Sequence, residues 1–63
     1  MNNRIPRDAT RLKVTFKINT SSHCAGSSLI VEKNDQGEWH GGGYYVFISM
    51  LRNGDVCSIE VLN

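Results

Sequence analysis

Nowhere in its 63 residues does the chain hold an apolar run approaching the ~18 residues that cross a membrane, so no spanning helix is expected. The opening stretch MNNRIPRDATRLK also lacks the apolar segment of a secretion signal, and the expected location is cytoplasmic. Cysteine is scarce. Cys24 and Cys57 fall far short of the density that staples small secreted folds, and both are expected as free thiols. Long-period apolar patterning is missing too, so no substantial helix is expected. The chain carries no catalytic or cofactor signature, and no internal repeat or linker divides it. A chain of this length forms one domain and buries only about 60% of the surface it exposes when unfolded, which leaves it marginally stable.

Charge is nearly balanced at +1, but it is unevenly placed. Arg4, Arg7, Arg11, Lys13 and Lys17 face only Asp8 within the first 17 residues, whereas Lys33 and Arg52 are outnumbered by Glu32, Asp35, Glu38, Asp55 and Glu60 in the remainder. Such polarity suits a basic arm that contacts phosphates, or one that contacts an acidic protein surface.

What is present reads as β structure. Residues 1–10 are polar and aperiodic around Pro6, which predicts a flexible basic N-terminal arm ahead of a single β domain over 11–63. From Arg11, Leu12, Val14, Phe16 and Ile18 alternate with polar residues, the period-two signature of a half-buried strand. A small polar loop over 20–28 leads to a second strand, LIVEK. NDQG then forms a turn, Gly37 taking a left-handed position, with Lys33 expected opposite Glu38. Gly41 to Gly43 predict a bend within one long strand ending at Leu51, with a loop between two separate strands as the alternative.

Asn53-Gly54 carries the signal for a tight hairpin between YYVFISML and VCSIEVLN. Its register would set Met50, Ile48 and Val46 against Cys57, Ile59 and Val61 on one face, and Tyr45, Phe47, Leu51, Val56 and Leu62 on the other. A sheet greasy on both sides needs a cover. The expected fold is therefore an all-β small antiparallel meander of four to five strands, strongly bent or barrel-like. Tyr45, Phe47, Leu51, Val56 and Leu62 are its expected oligomer interface, in a homo-oligomer and more specifically a dimer.

His23, Cys24, His40 and Cys57 are the residue types zinc prefers, but they lack the usual paired spacing, so no metal and no cofactor is expected. Cys24 or Ser22 beside a histidine could serve as a nucleophile, yet so short a chain has little with which to wall off a pocket, and no enzyme is expected. Arg4, Arg7, Arg11, Lys13, Lys17, Trp39 and His40 form the expected partner-binding set, with Trp39 read as an exposed anchor or, alternatively, as a cap on one end of the core. Strand edges at 29–33 or 56–62 could add to a partner's sheet. The expected function is a non-enzymatic protein-binding module, a regulator or inhibitor of the phage or mobile-element type that acts by occupying a macromolecular target. The alternative is a nucleic-acid-binding small β-barrel that uses the basic arm.

Overall fold

The computed structural model describes residues 2–63; residue 1 of the expected arm lies outside them. Strand β1 (Arg11–Phe16) follows the alternation of its sequence: Leu12, Val14 and Phe16 are buried, while Arg11 and Lys13 are exposed. It is followed by β2 (Ser28–Lys33), β3 (Trp39–Gly41), β4 (Tyr44–Val46), the short helix α1 (Ile48–Arg52) and β5 (Cys57–Val61). All five strands form one antiparallel sheet in the order β4-β3-β2-β1-β5. The small all-β meander is as expected, but the sheet stays open, with β4 and β5 at opposite edges instead of meeting in a barrel.

Two local turns set the first half. Asn34 donates its N–H to the Glu38 carbonyl at 2.9 Å and accepts from Gly37 N–H at 3.0 Å, while its side-chain oxygen takes the N–H groups of Gln36 and Glu38. Gly37, at φ +79°, fills the bulge position of this turn, so Asn34 opposes Glu38 and Lys33 opposes Trp39. The expected register is thus off by one residue, and the Lys33 ammonium lies 5.3 Å from the centre of the Trp39 ring. Gly42 and Gly43, at φ +61° and +84°, form a tight turn that ends β3 and starts β4, so the glycines separate two strands and do not bend one.

The C-terminal hairpin does not form. After Val46 the chain leaves the sheet; Phe47 is extended, and its carbonyl accepts the N–H groups of Met50 and Leu51 to begin α1. Asn53 has φ −83°, not the positive value of the expected turn, and its side-chain and main-chain oxygens accept from Asp55, Val56 and Cys57. The apolar residues between 46 and 51 suit a two-sided strand or one turn of helix about equally. Burial decides between them. The helix places Leu51 fully out of solvent beneath the sheet, and it frees β5 to pair with β1 through Leu12–Val61, Val14–Ile59 and Phe16–Cys57.

The chain itself therefore covers the inner face. Leu51 from α1 and Ala9 from the N-terminal run join Leu12, Val14, Phe16, Val31, Trp39, Val46 and Cys57 in one buried cluster. Residues 2–10, expected as a free arm, run along the body. The Asn3 side-chain amide donates to the carbonyls of Leu51 at 2.9 Å and Cys57 at 2.8 Å, and Asn3 N–H donates to Arg52. At the other end of the run, the Asn63 side chain accepts from the N–H groups of Thr10 and Arg11. No helix among the described residues is long and apolar enough to cross a membrane.

Candidate partner-binding cleft

The Gly42-Gly43 turn delivers Tyr44 and Tyr45 to an edge strand that is only three residues long, and the chain then swings away into α1. No described strand covers this corner. Tyr44 is 76% exposed, Phe47 66%, Tyr45 48% and Ile48 42%, an unusual accumulation of apolar surface for so small a molecule. Tyr45 projects to the outer face, packing edge-on against His40 (5.4 Å between ring centres) and against Phe47 (5.0 Å). The rings are held in place by one another.

Behind them lies a cleft of about 560 Å³ on the inner side of the sheet. Phe16, Leu29, Val46 and Met50 line it from the body, Tyr44 and Phe47 from the β4 corner, and residues 20–23 from the loop opposite. That loop is braced from within. The Thr20 hydroxyl accepts from His23 N–H at 2.9 Å, Thr20 N–H donates to the His23 carbonyl at 2.7 Å, and the His23 ring stacks on Phe16 at 4.5 Å. Ser22 Oγ lies 3.0 Å from His23 Nδ1. These two residues are neighbours in one turn and satisfy each other there, which is an ordinary arrangement in a loop. The cleft is thus a mostly apolar hollow with a small polar rim on one side, the pattern of a site that accepts an apolar group and fixes its orientation.

The sequence-predicted residues are scattered by the fold. Trp39 is 2% exposed, buried beneath Lys33 on the inner face, so it is a core residue and not a surface anchor. His40 is on the outer face, its Nε2 3.9 Å from the Glu38 carboxylate and 3.3 Å from the Asn34 amide. Arg11 and Lys13 share that outer face, but each is matched across the strands, Arg11 by Glu32 and Lys13 by Glu60. The Lys17 ammonium donates to the Gly54 carbonyl at 2.6 Å. Arg4 and Arg7 are exposed on the N-terminal run.

The expected oligomer interface is also broken up. Leu51 is fully buried within its own chain and Val56 packs against the core, because helix formation turned both inward. Tyr45 and Phe47 stand at the β4 edge, whereas Leu62 follows β5 at the opposite edge. Of the residues read as metal-ligand types, Cys57 is buried at the start of β5, Cys24 is exposed, and no three His, Cys, Asp or Glu side chains converge among the described residues. Burial pushes the Cys57 thiol above its ordinary pKa, an effect that Lys17 partly offsets.

The sequence does not assign Ile48 or residues 20–23 to a binding cleft: Ile48 is expected in the hairpin, Ser22 and His23 are read only for catalysis or metal binding, and Tyr44 only as a ring to stack on bases. The hint was local: Gly42-Gly43 followed at once by two tyrosines is a tight turn presenting its first aromatic residues to solvent. Compared with models of known protein families, with curated proteins and with solved structures, the chain matches none.

Proposed function

We propose that this protein is a non-enzymatic module that binds a partner protein by inserting an apolar side chain of the partner into the cleft between Phe47 and His23. The observation that carries the reading is the concentration of exposed rings, Tyr44, Tyr45 and Phe47, at the mouth of a ready-made hollow. Occupying a partner's surface in this way is a steric act and suits a small regulator or inhibitor. Of the apolar side chains that led from the sequence to a dimer, Leu51 and Val56 are packed within their own chain, and the proposal requires only one copy. Nucleic-acid binding draws less support, since Glu32 and Glu60 stand beside the basic residues of β1.

Affinity capture from the source cell tests the proposal when wild type is run beside Phe47→Ser and Tyr44→Ser. Both side chains are mostly in solvent, so the variants keep their fold. Burying one such ring in a partner is worth about 2 kcal/mol, so each variant should weaken binding roughly 30-fold. The same protein retained equally by all three forms would defeat the proposal, as would recovery of nucleic acid in its place.

A further inference from the structure

The second feature is the free edge of β5. Leu62 N–H donates to the Arg11 carbonyl and Lys17 N–H to the Val56 carbonyl, which fixes the phase of the ladder: Glu60 and Ser58 bond inward to β1. Cys57, Ile59 and Val61 therefore turn their main-chain groups outward. At Cys57 these groups are already used, the N–H by Asn53 and the carbonyl by Asn3. Ile59 and Val61 are left as a pairing window at the sheet edge, with no hydrogen-bond partner for their outward main-chain groups among the described residues. Natural sheets protect such edges with proline, a bulge, an inward-pointing charge or charged side chains along the edge, and of these β5 has only Glu60.

The side chains around the window specify what fits. On its inner side, the Val61-Glu60-Ile59 row is matched by Leu12-Lys13-Val14 of β1, apolar against apolar and Lys13 against Glu60. The same row faces outward. The charge sequence across the outer face, Lys13 then Glu60, calls next for a cation, whereas a second β5 in the centred register would set Glu60 against Glu60. We infer that the edge at Ile59–Val61 is a second binding site, which takes an antiparallel extended segment of a partner protein with the alternation apolar, basic, apolar. The site is independent of the aromatic cleft, and Phe47→Ser leaves it intact.

The probe is a labelled, end-blocked peptide with the β1 sequence RLKVTF, together with a version carrying glutamate in place of its lysine. Binding is followed by fluorescence anisotropy, and by amide exchange on the full-length protein. The lysine peptide should bind, the glutamate peptide should bind roughly tenfold more weakly, and the Ile59 and Val61 amides should gain protection in the complex. Ile59→Pro removes one outward donor without touching the β1 ladder, and it should abolish binding. Equal binding of the two peptides, or unchanged exchange at Ile59 and Val61 in wild type, would overturn the inference. Binding that survives Ile59→Pro would overturn it as well, since the peptide would then be displacing β1. Self-association of the protein that Ile59→Pro removes would show a second copy to be the occupant and would overturn the choice of partner.

Discussion

Leu51→Ala separates the helical arrangement of residues 48–52 from the hairpin that the sequence suggests. In an uncovered single copy of the hairpin, Leu51 would lie beside Val56 on a face open to water, and truncating it would change stability by less than about 0.5 kcal/mol. In the fold described here it is fully buried among Ala9, Phe16, Cys57 and the rest of the cluster. Removing a buried leucine's three terminal carbons costs about 2–5 kcal/mol, depending on how far the surroundings relax. Relaxation is restricted here, because the Leu51 carbonyl is held by Asn3 and its N–H by Phe47. A domain this small has a total stability near the lower end of the usual range, about 5 kcal/mol, so the variant should lose around half of it or more. Urea unfolding followed by the fluorescence of Trp39, the sole tryptophan and a buried one, reads this directly. With an m-value of about 1 kcal/mol/M, the midpoint should fall by at least about 2 M, or the variant should be unfolded without urea. Ile48→Ala, at a position 42% exposed, is the internal control and should lose far less. A Leu51→Ala midpoint within about 0.5 M of wild type would refute the reasoning.

Gly41→Ala should be severely destabilising, since a Cβ there would lie 2.8 Å from the Ile30 carbonyl oxygen and 2.7 Å from Val31 Cγ1; a circular-dichroism melt close to that of wild type would contradict this packing. Asn3→Ala removes the amide that holds the carbonyls of Leu51 and Cys57, and should cost about 1–3 kcal/mol in the same urea titration; a neutral result would detach the N-terminal run from the account. The raised pKa of Cys57 makes the neutral thiol the form that the fold prefers. Its contribution is complete below the unfolded value of about 8.5 and is lost as pH climbs from there through the folded value. Wild type should therefore lose stability above that pH faster than Cys57→Ala, and a thiol reagent should modify exposed Cys24 well before Cys57. Parallel pH profiles, or equal labelling rates, would count against the buried thiol.

What the sequence made legible was local. The alternation of Leu12, Val14 and Phe16 is a period that nothing but a strand satisfies, and Asn34 with Gly37 encodes its turn chemically. The pairing of β5 with β1 has no such signature, because it joins segments more than 40 residues apart and depends on which partner buries more surface. Asn53-Gly54 carried a strong local signal that tertiary packing overrode: once Leu51 could be buried by a helical turn, the positive-φ turn was no longer required. The same event relocated the candidate site. Tyr45 and Phe47 were singled out as apolar side chains needing cover, and they remain exposed, but at a corner beside Tyr44 and not on a continuous face. Trp39 was misplaced because its side depends on the bulge at Gly37, a one-residue shift that carries each side chain of the returning strand to the other face.

All of this follows from the terminal strand crossing to the far side of the sheet, which leaves the β4 corner and its aromatic rings outside. The most direct test is a nuclear Overhauser spectrum of the Hα region, where non-hydrogen-bonded antiparallel pairs bring Hα protons into close contact. Cross-peaks between Val14 and Ile59 and between Leu12 and Val61 are the predicted result. Hα contacts of Ser49 with Ser58 and of Phe47 with Glu60, the non-hydrogen-bonded pairs of a two-residue hairpin at Asn53-Gly54, would mean that the hairpin forms after all, and would contradict the fold and the exposed cleft together.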